Sequence, residues 1–414
     1  MNHRAVVLTS QVIVPPMGGG ALRTYYLTRA LTLSRAVSVI NSTRQREKVV
    51  HSSDCKVDSW DISGFEFVFP EKRRWSKDII NHGEQWLVWS ADPLNRRYCP
   101  RKGYRKALLH LLGNDSSIDL VVINHTWMLR TISGLRRRFP KVRFVLDAHN
   151  VESVNTRQLI HGNKIDLSPI HRAREVMFLK AITALESSLA RYVDLVWACS
   201  PEDVAWFQSH NPDTPCALIP NGVDTHRVSY YNGPERWKRQ TLITVSSLGY
   251  SPNAVGVLWF YERVWSGLKA RYPDLKWYIV GKNPPPEILD LASDHITVTG
   301  RVPDPLPYLH KASISVCPIL TGSGTRLKVL EAMSSGNPVV STTAGAAGIK
   351  AKHGIHLYLA DNPETFAQAV SLLLDDGSAH EAIRQRAREF VEMNYDWDMI
   401  GRKAVRSTDE IISI

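Results

Sequence analysis

Short apolar runs alternate with stretches of helical period along nearly the whole chain. In the first half, Ala5–Ser10, Val37–Asn41, Phe65–Phe69, Leu120–Asn124, Val142–Asp147, Asp194–Ser200 and Cys216–Pro220 read as strands. Helical spacing recurs over Ala21–Leu33 and Ser168–Arg191. The second half repeats the rhythm with strands at Leu242–Ser247, Leu275–Gly281, Ile296–Gly300, Ile314–Ile319, Asn337–Thr342 and Ile355–Ala360. Helices are expected over Ala254–Tyr272, Pro363–Asp376 and Ala379–Asn394. Strand–helix alternation of this kind predicts an α/β protein built from two doubly wound parallel-sheet domains. The Asn221-Gly222-Val223-Asp224 turn and the polar stretch that follows it to Arg239 mark the boundary.

The stretch Pro318–Gly348 carries the densest signal. Its strand feeds a loop, Gly322-Ser323-Gly324-Thr325, and a helix with Leu327, Leu330, Ala332, Met333 and Ser334 at helical spacing. A glycine loop opening a helix leaves backbone N–H groups pointing outward at the positive end of the helix dipole, which attracts phosphate. Arg326 and Lys328 add cations to a first turn where the dipole alone favours acids, as expected if an anion bridges them. Glu331 follows Lys328 at i+3 and shares its face, where a carboxylate can accept hydrogen bonds from ribose hydroxyls. An ordinary crossover with solvated charges is the competing reading of such a loop in isolation.

Composition narrows the class. A chain of 414 residues suits two domains of about 200 residues each. Hydrophobic content of 43% and charged content of 22% describe a globular protein. Cys55, Cys99, Cys199, Cys216 and Cys317 are scattered with no CxxC pair, as reduced thiols of a cytoplasmic chain would be. The N-terminal apolar run is too short for a signal peptide and meets Pro15-Pro16 at once. The net charge of +11 favours anionic partners: nucleic acid, an anionic membrane surface or phosphorylated small molecules. Nucleic acid has no accompanying motif here. Between Glu71 and Gly113, Lys72, Arg73, Arg74, Lys77, Arg96 and Arg97 interleave with Trp75, Trp86 and Trp89. That pattern suggests peripheral contact with a membrane or with acceptor phosphates, against a merely solvated basic face.

Two further features lie at strand ends. Gly18-Gly19-Gly20 follows the first strand and opens a helix in Rossmann-like fashion, yet it is not GxGxxG and no acid ends the second strand, so NAD is disfavoured. This glycine turn either lines a ligand cleft or is a plain tight turn. His149 sits just past the Val142–Asp147 strand, at the rim where α/β sheets bind ligands.

Taken together, PPMGGG, LDAHN (Leu146–Asn150), IPNGVD (Ile219–Asp224), IVGK (Ile279–Lys282), VTGRV (Val298–Val302), GSGTRLKVLEAMSSGNPVVST and the late Tyr395-Asp396-Trp397 resemble the retaining family 4 glycosyltransferases of the GT-B fold. The resemblance implies two Rossmann-like domains facing a cleft. Residues 1–221 would hold the acceptor and residues 222–397 the nucleotide-sugar donor. A last helix, from about residue 398 to 414, would pack back on the first domain. Carried over residue by residue, the resemblance places Gly324 and Thr325, beside Ser323, on the donor diphosphate. It places Glu331 on the ribose, and Gly300, Arg301 and Val302 beside the base. Gly19, with Gly20, would approach the donor, and His149 would touch the sugar near the reacting centre. Arg326 and Lys328 are added on charge alone, as stabilisers of the departing diphosphate. Ser323 departs from the pattern, since many relatives carry there a glutamate that contacts sugar hydroxyls. Ala346 and Ala347 stand where relatives have an acid before Gly348.

The implied reaction moves a sugar from a UDP- or GDP-sugar to an acceptor hydroxyl with retention, without cofactor or metal. The acceptor is left open among a glycan, a lipid-linked intermediate and a small molecule. Asp396-Trp397-Asp398 mimics a DxD metal motif, but it begins the final helix. A sugar-nucleotide epimerase, a phosphorylase and a catalytically weak partner subunit are the alternatives.

Overall fold

The structure, a computed structural model, describes residues 3–14, 16, 18–41, 56–57, 60–61, 64–69, 101–161, 169–233, 236–321 and 326–413. It divides into two compact units, residues 1–220 with 400–414 and residues 221–399.

The first unit carries β1 (Arg4–Leu8), β2 (Ala36–Ile40), β5 (Phe65–Val68), β6 (Ile118–Asn124), β7 (Arg143–Ala148), β8 (Leu195–Ala198) and β9 (Cys216–Leu218). These pair in the order β5-β2-β1-β6-β7-β8-β9, every neighbour parallel. A two-residue antiparallel pair, β3 (Lys56–Val57) with β4 (Trp60–Asp61), stands apart. Val6, Leu8, Val121, Ile123, Phe144 and Leu146 pack with Tyr104 and Leu108 of the Arg101–Asn114 helix. The strand order reverses between β1 and β6, so their connections leave in opposite directions and a crevice opens at the strands' carboxyl ends.

The second unit repeats this logic with β10 (Thr241–Val245), β11 (Lys276–Val280), β12 (Ile296–Gly300), β13 (Ile314–Cys317), β14 (Val339–Ser341) and β15 (Tyr358–Leu359). The order is β12-β11-β10-β13-β14-β15, all parallel, and it reverses between β10 and β13. Successive strand residues serve opposite cores. Leu242, Ile279, Val316 and Val340 pack with Phe260 and Phe366, whereas Ile243, Val280, Cys317 and Val339 pack with Val329, Leu330 and Phe390. Burial on both faces is why these strands read as continuous apolar runs. Each such side chain contributes roughly 1.5–3 kcal/mol when removed from water.

Element ends differ from the sequence expectation for local reasons. The first helix begins at Gly19 instead of Ala21, because Gly18 takes φ 110° and serves as its cap. The expected helix Ser168–Arg191 runs from Pro169 to Glu186, and a further helix, Glu152–His161, precedes it. Its cap is remote: the Glu186 carboxylate accepts hydrogen bonds from Glu152 N at 2.7 Å and Ser153 N at 3.0 Å. The expected Ala254–Tyr272 helix starts earlier, at Ser251, and is interrupted by a wide π-turn over Tyr261–Trp265. Strand Ile355–Ala360 shrinks to β15, because His353 and His356 turn their ring nitrogens onto Leu359 N and Lys352 N and tie the preceding residues into a loop.

The polar stretch after the boundary turn is held by arginines, not by an apolar core. Buried Arg236 donates to the carbonyls of Ala312, Leu309, Ser335 and Gly336. Burial, then the charges of Arg384 and Arg239, pull its guanidinium down to about 9. Arg388 reaches Val228 O, Ser334 O and Thr225 O. Cys199 and Cys317 are buried and Cys216 half-buried, all three free. Burial pushes the Cys199 and Cys216 thiols up to about 12, which makes them inert. Cys55, Cys99 and the basic tryptophan-rich residues 71–100 lie outside the described residues.

Asp396 has a structural task. Its Oδ2 accepts from Thr225 Oγ1 at 2.6 Å and Thr225 N at 3.3 Å, and its Oδ1 from Asp398 N at 2.8 Å. Val223 N donates to Tyr395 O and Trp397 N to Val223 O, so the turn is stitched to the start of the Trp397–Ile412 helix. Asp396→Ala is expected to lower unfolding free energy by about 1–3 kcal/mol in denaturant titration, since Thr225 is left buried and unpaired. Calorimetric uptake of Mn²⁺ that vanishes in this variant would instead favour the DxD reading.

Candidate nucleotide-sugar site

In the second unit the crevice between β10 and β13 collects charged groups. The helix Leu327–Ser334 follows β13 and starts beneath it, with Arg326 as its cap residue. Its amphipathic face buries Val329, Leu330, Ala332 and Met333, which leaves Lys328 and Glu331 on the crevice side. Lys328 Nζ reaches across the reversal point to the elements after β10. There it donates to Ser246 Oγ at 2.7 Å and Asn253 Oδ1 at 2.8 Å. Asn253 is fixed in turn by donating to Ser247 O at 2.8 Å. Burial lowers the Lys328 ammonium below its ordinary value, so its charge is held at a cost in solvation.

Arg326 Nε donates weakly to Ala344 O at 3.3 Å. Its Nη2 is buried without a hydrogen-bond partner among the described residues, and burial lowers this group as well. The Glu331 carboxylate likewise makes no hydrogen bond among the described residues. Burial pushes it up to about 7, Asp304 pushes the same way, and Arg227 and Lys328 pull against them. Two cations and a carboxyl with spare hydrogen-bonding capacity, all partly desolvated on one rim, are what a bound polyanion with hydroxyls would complete.

Gly300 ends β12 on the same rim with φ 65°, and its carbonyl accepts from Gly281 N at 3.1 Å. Arg301 is exposed there, and Val302 packs against the Val329–Leu330 side of the core. Gly281 is required by close approach: a Cβ on it would lie 1.6 Å from Ser246 O. Gly322, Ser323, Gly324 and Thr325, the expected diphosphate cradle, lie outside the described residues.

The first unit holds the remaining sequence candidates. Gly19 and Gly20 form the first turn of the Gly19–Leu31 helix. A methyl group on Gly20 would meet Gln11 Nε2 at 2.7 Å and His149 Nδ1 at 3.0 Å, so glycine there lets the helix start close to the histidine. His149 is buried just past β7, with Nε2 3.2 Å from Asp147 Oδ2. The opposite oxygen of Asp147 accepts from Arg23 Nε at 2.7 Å, and Arg23 Nη1 also reaches Ile219 O at 2.6 Å.

Sequence reasoning missed Ser246 and Asn253 around Lys328, and Arg23, Asn124, His125 and Asp147 around His149. Asp147 and Asn253 stand inside stretches that were read, but nothing local marks a strand-end aspartate or a helix-start asparagine as a ligand to another element. Arg23 sits on a helix face that reads as ordinary, and only the fold buries it. His125 carries no sequence mark of its φ of 70°.

Residues 17–227 match the model of Glycosyltransferase Family 4, and residues 239–376 match that of Glycosyl transferases group 1. The chain belongs to glycosyltransferase family 4. The first match alone spans half of the family 4 chain, and the second covers the Arg326–Glu331 constellation. Over 198 residues the family 4 chain is 28% identical to a phosphatidyl-myo-inositol mannosyltransferase of Mycolicibacterium smegmatis, covering 45% of this chain and 50% of that one. The chain spans about half the length of the first curated relatives it matches. Among solved structures, a sucrose-phosphate synthase from Thermosynechococcus elongatus aligns over 100% of both chains with a TM-score of 0.69 at 14% identity. Anabaena HepE in complex with UDP and glucose aligns over 99% of this chain and 100% of its own, with a TM-score of 0.62 at 13% identity. The two parallel-sheet units of the family 4 chain are those of the GT-B fold.

Proposed function

We propose that the chain transfers a sugar from a UDP- or GDP-sugar to an acceptor hydroxyl. The observation that carries this reading is the part-buried ammonium of Lys328, spanning the second unit's reversal point beside the Nη2 of Arg326 and the carboxyl of Glu331, neither of which has a hydrogen-bond partner among the described residues. The two cations take the diphosphate, with Gly324 and Thr325 donating backbone N–H groups beside Ser323. Glu331 takes the ribose hydroxyls, and Gly300, Arg301 and Val302 border the base. Family membership supports the assignment, as does the UDP-bound state of the HepE structure.

Chemically, the anomeric C–O bond to the donor diphosphate breaks as an oxocarbenium-like centre forms. The electron pair goes to the diphosphate, whose growing charge Arg326 and Lys328 stabilise electrostatically. The acceptor oxygen bonds to the anomeric carbon on the same face, and its proton passes to the leaving phosphate, so configuration is retained. Protein cations supply the positive charge, with neither metal nor cofactor taking part. The acceptor is a glycan, a lipid-linked intermediate or a small molecule. No helix among the described residues is long and apolar enough to cross a membrane. The basic residues 71–113 fit peripheral contact with an anionic inner membrane surface.

Thermal unfolding with a panel of nucleotides tests the reading, because a ligand that binds only the folded state raises its midpoint. UDP or GDP is expected to raise it and NAD to leave it unmoved. Donor consumption should then require added acceptor, and product anomer analysis should show retention. Stabilisation by NAD alone, or donor turnover that ignores acceptor, would overturn the transferase reading.

A further inference from the structure

Three side chains converge on the carboxylate of Asp147 at the carboxyl ends of β6 and β7. Arg23 Nε donates to Oδ1 at 2.7 Å, Asn124 Nδ2 donates to Oδ2 at 2.8 Å, and His149 Nε2 lies 3.2 Å from that same Oδ2. All four residues are buried, Asp147 completely. Burial opposes ionisation of Asp147, but the charge of Arg23, together with the hydrogen bond it donates, outweighs it and holds the carboxyl well below its usual range. The His149 contact falls short of hydrogen-bond geometry. Even so, a ring nitrogen facing an ionised carboxylate carries its proton, since a lone pair there would face negative charge.

We propose that Asp147 is a positioning residue: with Arg23 and Asn124 it fixes His149 as the Nε2–H tautomer and presents Nδ1 as a hydrogen-bond acceptor for a sugar hydroxyl. In the neutral ring the nitrogen without a proton can only accept. A hydroxyl can donate to it, whereas an ionised phosphate oxygen cannot, so His149 selects the sugar part of its ligand. Nδ1 is the nitrogen that faces Gly20 at the start of the Gly19–Leu31 helix. Rotation of the ring is restricted by His125, whose ring lies 4.0 Å from it and is itself stacked on Trp127 at 4.1 Å. This inference rests on the reading of His149 as a sugar contact.

Two-bond ¹H–¹⁵N spectra of the full chain with labelled histidine test it, with His149 assigned by its loss in His149→Gln. The wild type is expected to show the Nε2–H pattern for His149. In Asp147→Asn the new amide nitrogen would donate toward Nε2, so the proton should move to Nδ1. Turnover should fall about tenfold to a hundredfold while the donor KM stays within about threefold. An Nδ1–H tautomer in the wild type overturns the proposal, as does an unchanged tautomer in folded Asp147→Asn. Should that variant fail to fold, the wild-type spectrum still decides the tautomer. The spectra need no substrate, so failure of the transferase reading would be a separate result.

Discussion

Lys328→Met is expected to cut acceptor-dependent turnover by about 10²–10³-fold, the loss typical of removing one preorganised group that stabilises developing negative charge. Methionine keeps the length and apolar stem of lysine, so the helix Leu327–Ser334 retains its packing against the core. Ser246 and Asn253 lose a donor, whereas the fold no longer has to hold a desolvated ammonium. These terms oppose each other, and unfolding free energy should change by less than about 2 kcal/mol. Turnover and denaturant midpoints measured on the same preparation separate the two roles. Retained turnover removes Lys328 from the chemistry; a turnover loss that merely tracks unfolding makes it a structural lysine.

Glu331→Gln carries the second large effect. A ribose hydroxyl pair needs an ionised carboxylate to accept both hydrogen bonds, so the midpoint shift produced by UDP or GDP should largely disappear in the variant. Without ligand the sign runs the other way. Burial raises the folded carboxyl from 4.5 to about 7. Below 4.5 both states are protonated and the contribution to stability is whole. As pH rises toward 7 the unfolded chain ionises first, and stability is lost by no more than about 3 kcal/mol, less where the side chain still meets solvent. Glutamine abolishes that slope. Wild-type and variant melts between pH 4.5 and 8 should therefore converge at the acid end and diverge above neutrality. Parallel curves would mean that Glu331 is not the buried acid, and an intact nucleotide shift would mean that it is not the ribose ligand.

Periodicity carried most of the architecture because its cause is local. Neighbours such as Leu242 and Ile243, or Val339 and Val340, are both apolar since both faces of their sheet are covered, and this is written residue by residue. The Arg326–Lys328–Glu331 triad was legible for the same reason, since three charges within two turns of one helix need no tertiary knowledge. Partnerships between distant segments were not legible. Glu186 caps a helix more than thirty residues upstream, and Lys328 ends on Asn253, seventy-five positions away. Arg23 finds Asp147 across 124 residues. Such pairings depend on strand order, and a single chain read in sequence does not display that order. The shortened β15 belongs with them, because the histidines that curtail it read as ordinary polar positions.

The stitched turn at Val223 and Asp396 brings the two ends of segment 221–399 side by side. A segment whose ends already meet is a graft in a host: it can be lifted out and another set in its place without stretching either junction. On the proposed assignment, the part that chooses the nucleotide is then exchangeable independently of the part that receives the sugar.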